Sequence, residues 1–221
     1  MNFEVPAHTA KNAGKPAGRI RQKNEEAILA AAEEEFARHG FKGTSMNTIA
    51  QTVGLPKANL HYYFNNKLGL YLAVLSNILE LWDSTFNNLT AEDDPAVALA
   101  GYIRAKMEFS RRQPLASKIF AMEVIGGGEC LSEYFNQDYL TWFRGRAEVF
   151  EAWIAAGKID PVDPIHLIIL LWSSTQHYAD FNQQVCRLTG RKKLGKEDFA
   201  VATDTLIHII LKGCGLTPPS A

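Results

Sequence analysis

An all-α fold is what this sequence predicts, and three observations carry it. Almost every segment beyond residue 20 repeats its apolar residues at intervals of three and four, the period of a helix buried along one face. Cap signals stand where such segments begin, notably Asp94-Pro95 and Asp163-Pro164, and glycines stand where they end. No stretch alternates apolar and polar residues as a half-buried strand does. At 221 residues, 47% hydrophobic and 21% charged, the chain can bury two helical units, a small N-terminal bundle and a larger C-terminal one.

Residues 1–20 are rich in Gly, Pro, Ala and Lys without apolar periodicity and read as a flexible arm. Ile28, Leu29, Ala32 and Phe36 form the stripe of a first helix that stops at "RHG", with Gly40. Ser45 or Thr44 can cap a short helix through Val53, with Ile49 and Ala50 inward. Gly54 breaks the chain, and a second short helix runs from about Lys57 to Tyr63. A long helix follows, from about Lys67 to Leu89, striped by Leu70, Val74, Ile78 and Leu81. "DPAVALAGYIRAKMEFSRR" and "PLASKIFAMEVI" are the next two, the latter ended by Gly126–Gly128. A helix from about Leu131 to Ala156 stops at Gly157. "PVDPIHL" opens another at Pro164, and "DFAVATDTLIHIILKG" is the last, after a basic loop around "TGRKKLGKED". The domain reading is an arm over 1–20, a DNA-binding unit over 21–66, an effector and dimerisation unit over 67–213, and a tail over 214–221.

Composition excludes several classes of function. No apolar run reaches the roughly 20 residues of a membrane span, and the N-terminus lacks the apolar core of a secretory signal. Three widely separated cysteines, Cys130, Cys186 and Cys214, suit neither a disulfide framework nor a zinc site, and make the reducing cytoplasm the expected compartment. No H-E-x-x-H, phosphate-binding loop or G-x-S-x-G motif appears, "GGGEC" reads as a loop, and His177 with Asp180 lacks an adjacent nucleophile. An enzyme is therefore not expected, nor any cofactor or metal. Net charge is −1, yet the first 24 residues carry Lys11, Lys15, Arg19, Arg21 and Lys23 against Glu4 alone. A basic end on a neutral chain points to a local polyanion contact.

That contact has a candidate in "GTSMNTIAQTVGLPKANLHYYFNNKLGLYLAV", residues 43–74. Two short helices joined by a tight glycine turn make a helix-turn-helix, whose second helix enters the major groove while the first braces it. With Ile49, Ala50, Val53, Leu55, Leu60 and Phe64 inward, the second helix turns Lys57, Ala58, Asn59, His61 and Tyr62 outward. Lys and Asn bond purine edges, Ala meets a thymine methyl, and hydroxyls hold phosphates. Lys67 opens the next helix, where free N–H groups favour an anion.

With the preceding "AILAAAEEEFARHGF", this stretch resembles the TetR family of bacterial transcriptional regulators over about residues 24–74. Departures are Pro56 where a capping Ser is usual, Val53 for Ala and Leu68 for Glu. The resemblance implies base-facing roles for Asn47, Lys57, Ala58, Asn59 and His61, and phosphate-facing roles for Ser45, Tyr62, Tyr63 and Lys67. It implies double-stranded operator DNA as the partner.

The second half poses a question in "IHLIILLWSSTQHYADF", residues 165–181: why an apolar helix carries so many hydrogen-bonding groups in its middle. A buried polar group without a partner costs about 1–3 kcal/mol, so neighbouring helices, a second copy of the chain, water or a small molecule must satisfy them. Within the family, this segment, "YYFNNKLGLYLAVLSNILELW" and "YIRAKMEFSRRQPLASKIFAMEVIGGG" resemble regulators of pyrimidine utilisation. That likeness implies a homodimer joined by the last two helices and a pocket for uracil, thymine or a related pyrimidine in each C-terminal bundle. A flat polar ring needs aromatic faces and amide-like edges. Trp172 and Gln176, one turn apart, and Trp82 are the expected lining, with Phe120, His177 and Tyr178 as further members. Thr175 and Asp180 would instead serve the dimer seam. A family member tuned to a drug or lipid would show a long apolar pocket without amide partners.

Overall fold

The computed structural model of the chain describes residues 16–132, 135 and 137–219, with the side chains of all of these except residues 16, 17 and 81. Lys11 and Lys15 of the basic arm, the Leu81 side chain, and the last two residues of the tail lie outside that set. Ten α-helices and one 3-10 turn make up the regular structure among the described residues, with no strand. Two compact units meet between Val74 and Leu75, inside the fourth helix.

The first unit opens with α1 (Pro16–Gly43). Residues 16–20, which composition assigns to the arm, are its first turns. At Gly40 the backbone takes φ 65° and ψ 177°, a conformation essentially restricted to glycine, so the main helix stops there as "RHG" predicts. The carbonyls this break exposes are capped from elsewhere in the unit. Thr44 Oγ1 donates to Gly40 O (2.8 Å) and Glu35 O (3.1 Å). Lys67 Nζ donates to Phe41 O (2.8 Å) and Thr44 O (3.1 Å).

α2 (Met46–Val53) is capped by Ser45, whose side chain accepts from Asn47 N, and it ends at Gly54 in the left-handed region. α3 (Lys57–Phe64) begins after Pro56, which supplies a fixed φ and no side-chain cap. Ile28, Phe36, Ile49, Leu60 and Leu70 are buried together with Phe64 and Tyr71 to form the core of this unit. Val53 and Leu55 are half-buried at its edge. α4 (Lys67–Asn87) starts so close to α3 that a Cβ at Gly69 would stand 2.5 Å from Phe64 O.

The second unit is built on two central helices. α5 (Pro95–Arg112) packs against α6 (Pro114–Ile125), α8 (Pro164–Asp180) and α10 (Lys196–Gly213), while α8 also meets α6, α7 (Gln137–Ala155) and α9 (Asn182–Leu188). Asp94 caps α5 through Ala96 N and Val97 N, and Asp163 caps α8 through His166 N, each followed by the anticipated proline. Leu99, Ile103, Phe150, Trp153, Leu171 and Leu211 centre the core. Two differences from the sequence-based course stand out. The helix expected from Leu131 begins at Gln137, because Glu129–Leu131 forms a 3-10 turn that drives Leu131 into the core. And α8 ends at Asp180, with Phe181 leaving helical geometry (φ −111°, ψ 30°) before the separate α9, a break that no Pro or Gly marks.

Candidate DNA-reading surface and effector pocket

The DNA-facing candidates sort by burial. Ser45, Asn47, Lys57, Ala58, Asn59 and His61 are all exposed, and Tyr62 is 70% exposed. Arg21 of α1 lies 5.7 Å from the Tyr62 ring centroid, which brings one cation of the N-terminal cluster to the same face as α3. His61 Nδ1 sits 2.7 Å from Asn65 O, so the ring is anchored as the donor there and presents its other nitrogen outward. Tyr63 is half-buried, its hydroxyl accepting from Asn24 Nδ2 at 3.3 Å, and its ring meets Tyr62 edge-on at 5.5 Å. Lys67 is half-buried as well, and its ammonium is held by two carbonyls and the Phe41 ring at 4.6 Å. Its observed work is to close the end of α1.

In the second unit three helices converge with one residue per turn on a shared side. On α8 these are Trp172, Gln176 and Asp180, on α5 Tyr102 and Lys106, and on α4 Trp82 and Phe86, each pair four residues apart and hence one turn apart on one face. They form two layers. In one, Trp172 Nε1 donates to the Tyr102 hydroxyl (2.9 Å), and Phe86 packs on both rings with centroids at 5.9 and 5.0 Å. In the other, Lys106 Nζ lies 4.0 Å from the Trp82 ring centroid, with Phe120 edge-on to Trp82 at 5.1 Å. Asp180 Oδ1 in that layer accepts from Ser117 Oγ at 2.5 Å. Gln176 falls between the layers, half-buried, and its amide makes no side-chain hydrogen bond among the described residues.

Burial governs the electrostatics. Lys106 is 2% exposed, and the loss of hydration pulls its pKa down to about 7, against the opposing pull of the Asp180 and Asp83 carboxylates. Burial pushes the Asp180 carboxyl up, opposed by the Ser117 hydroxyl and the Lys106 charge. The Tyr102 hydroxyl is driven up by burial too, so it stays protonated as the indole's acceptor. Lys106 and Ser117 are absent from the residues singled out in the sequence. The signal for Lys106 was there: it occupies the apolar stripe of α5, three beyond Ile103 and seven beyond Leu99, where a leucine would be ordinary.

Two expected pocket members are elsewhere. Successive helical residues turn by about 100°, so His177 and Tyr178 leave the face shared by Trp172, Gln176 and Asp180. His177 is exposed and stacks on Phe181 at 4.8 Å, while Tyr178 packs near Phe199 at 6.1 Å. Thr175 and Asp180, expected at the dimer seam, both have partners inside the chain. Thr175 is fully buried, its hydroxyl donating to Leu171 O at 2.7 Å and its own carbonyl accepting from Ser110 Oγ at 2.8 Å. Ser173 and Ser174 likewise donate back to α8 carbonyls. Gln176, His177 and Tyr178 make no side-chain hydrogen bond among the described residues, where no side-chain nitrogen or oxygen is both buried and unpartnered. A cleft of about 400 Å³ lies beside the C-terminal end of α4 and the N-terminal half of α5, lined by Thr85, Asn88, Asp93, Asp94, Val97 and Tyr102 among others, and of the residues in the two layers it shares Tyr102 alone.

An exposed reading helix on one unit and a polar-lined aromatic cluster inside the other define a helix-turn-helix regulator of transcription. The chain belongs to the TetR family: residues 28–74 match the model of bacterial regulatory proteins of the tetR family, and residues 75–217 that of the YcdC-like protein C-terminal region. It is 37% identical over 203 residues to the HTH-type transcriptional regulator RutR of Escherichia coli K12, covering 92% of this chain and 95% of that protein. The HTH-type transcriptional activator FasR of Mycolicibacterium smegmatis is 38% identical over 78 residues, 31% of this chain. A TetR-like transcriptional regulator from Rhodococcus shares the fold, with a TM-score of 0.61 at 19% identity over 87% of this chain and 96% of that one. The protein is a DNA-binding transcriptional regulator and not an enzyme.

Proposed function

We propose that this regulator senses a pyrimidine, uracil or thymine or a close relative, between the two layers described above, and that ligand binding releases it from operator DNA. The observation that carries this is Gln176, a half-buried amide with open hydrogen-bonding positions one turn from Trp172 and one turn from Asp180. A primary amide offers both donors and an acceptor, which matches the alternating C=O and N–H edge of a pyrimidine ring, and Trp82 and Phe120 supply flat apolar faces. The likeness to RutR over nearly the whole chain, and the resemblance to regulators of pyrimidine utilisation, support the same choice. A drug or lipid ligand fits less well, because Lys106, Gln176 and Asp180 would be desolvated against an apolar chain without partners.

The protein acts as a homodimer in this proposal. Ile165, Ile169 and Leu170 on α8 and Val201 and Ile209 on α10 are large apolar residues between 46% and 68% exposed, and their spacing gives each helix an apolar stripe. Two reading helices about 34 Å apart then enter successive major grooves. Bases are read by Asn47, Lys57, Ala58, Asn59 and His61, and phosphates are held by Ser45, Tyr62, Tyr63 and Lys67. α4 runs unbroken from Lys67 to Asn87 and carries Trp82, so it links the pocket to the reading unit within one element. A ligand that binds one arrangement of α4 more tightly shifts the population toward it and away from the spacing DNA requires. Repression relieved by ligand in the cytoplasm is the simplest outcome of that wiring.

Titration of the purified protein with uracil, thymine and a lipophilic dye, followed by tryptophan fluorescence and by release of a bound operator duplex, tests the proposal. Uracil or thymine should quench the fluorescence and release the duplex. Release by the dye alone would overturn the pyrimidine assignment.

A further inference from the structure

We infer that the first turns of α1 extend the DNA-binding surface beyond the helix-turn-helix: Arg21, set against Tyr62 of α3, holds a phosphate of the operator backbone beside the bases that α3 reads. The inference rests on the reading of α3 as the recognition helix. It goes further, because Arg21 lies ahead of residues 28–74, the stretch shared with the family's DNA-binding region.

Placement on α1 singles this residue out. Arg19, Arg21 and Lys23 are all exposed on one short length of helix. At about 100° per residue, Arg19 and Lys23 share one side of α1, and Arg21 points about 160° away from both. Arg21 shares its own side with Asn24, three residues on. That side meets α3. Asn24 Nδ2 donates to the Tyr63 hydroxyl at 3.3 Å, and the Arg21 guanidinium carbon lies 5.7 Å from the Tyr62 ring centroid. Of the three cations, Arg21 is therefore the one that reaches the reading helix.

The chemistry of the contact points to an anion. Packing against a ring occupies none of the N–H donors of Arg21, and among the described residues they carry neither a hydrogen bond nor an ion pair. The first turn of α1 has no acid, and the positive end of the helix dipole adds to the cations. Glu25 and Glu26 come only later, and Glu26 already accepts from Gln22 at 3.1 Å. A fork of free donors in a positive field matches the paired oxygens of a phosphate. Tyr62 is 70% exposed, so the pair stands at the surface of the unit, on the helix that also exposes Lys57, Asn59 and His61. Phosphate contacts position a protein without reading bases, so Arg21 sets affinity and salt dependence and leaves sequence preference alone.

Fluorescence anisotropy of the full-length protein on a selected operator duplex, between 50 and 200 mM salt, tests this. Each phosphate contact adds about 0.9 to the slope of log affinity against log salt, so a dimer losing two contacts loses about 1.8. Arg21→Gln should therefore weaken binding by a factor about 12-fold larger at 50 mM than at 200 mM, with base preference as in wild type. Arg21→Lys keeps the charge and should recover most of the slope. Lys23→Gln removes the same charge from the other side of the helix, and its effect should differ by less than about threefold between the two salts. All three sites are exposed, and an unchanged melting temperature verifies folding. A wild-type slope in Arg21→Gln, or an equal loss in Lys23→Gln, would overturn the inference and leave the role of α3 standing. Should Arg21→Gln fail to fold, Arg19→Gln and Lys23→Gln decide alone: a slope flattened by about 1.8 in either would put the contact on the opposite side of α1 and overturn it equally. Unaltered base preference in Asn59→Ala would instead remove the reading of α3, and this inference with it.

Discussion

Replacing Trp82 with alanine separates sensing from DNA binding, and the structure sets the size of the effect. The indole lies under the Lys106 ammonium at 4.0 Å and edge-on to Phe120 at 5.1 Å, in the second unit. A base stacked on an aromatic ring is worth about 1–3 kcal/mol, so the variant should bind uracil about 5- to 150-fold more weakly. Loss of the aromatic pair (about 0.5–1.5 kcal/mol) and of a desolvated cation–π contact (about 2 kcal/mol) should lower the stability of that unit by roughly 2–4 kcal/mol. The reading unit keeps its own core of Phe36, Ile49, Leu60 and Phe64, all in the first compact unit, whereas Trp82 belongs to the second. Operator affinity should thus stay within about threefold of wild type at matched salt, since salt alone shifts such affinities steeply. The assay is fluorescence anisotropy of a duplex selected by the protein from random sequence, titrated with uracil at constant ionic strength. Release of Trp82→Ala by uracil at the wild-type concentration would refute both the pocket and its coupling through α4.

On the DNA face, Asn59→Ala should relax base preference at one operator position by about 1–3 kcal/mol, measured by selection of bound sequences, whereas Tyr62→Phe should weaken all sequences alike. Ser45→Ala removes the acceptor for Asn47 N and should lower stability by about 1 kcal/mol, read as a drop in melting temperature without change in the effector response. Ile169→Glu places a charge on the exposed apolar stripe of α8; sedimentation should then show monomers, and operator affinity should collapse because a single half-site remains. Lys106→Met should stabilise the fold most at low pH. The folded protein holds Lys106 near pKa 7, below its unfolded value of 10.5, so the unfolded chain binds the extra proton between those limits, and wild-type stability rises with pH through that window. The stabilisation by Met, greatest at pH 7 and below, should shrink as pH climbs toward 10.5, and denaturant melts at pH 6 and 9 check the trend.

How much was legible in the sequence differs between the two units. The helix-turn-helix depends on local signals: Ser45 as cap, Gly54 as a left-handed stop, Pro56 before Lys57, and inward Ile49, Leu60 and Phe64 at helical spacing. These act over a turn or two of chain, so they can be read one segment at a time. The break between α8 and α9 at Phe181 was not legible, because no Pro or Gly marks it. Nor do local signals announce the long-range partners of Tyr63 and Lys67, which are Asn24 and the carbonyls of Phe41 and Thr44.

By itself the sequence determined an all-α chain with one polar-faced reading helix and a C-terminal bundle rich in aromatic residues. Only the tertiary structure decided which of those residues share a site. It set Lys106 of α5 against Trp82 of α4, gave Asp180 of α8 to Ser117 of α6, left Gln176 between the two layers with its amide open, and turned His177 and Tyr178 away. The physical reason is that helix periodicity names a face but not its neighbours. Which faces meet depends on the packing of helices that are not neighbours in sequence, as where Ser117 meets Asp180 and Trp172 meets Tyr102, and it is such packing that buries Lys106.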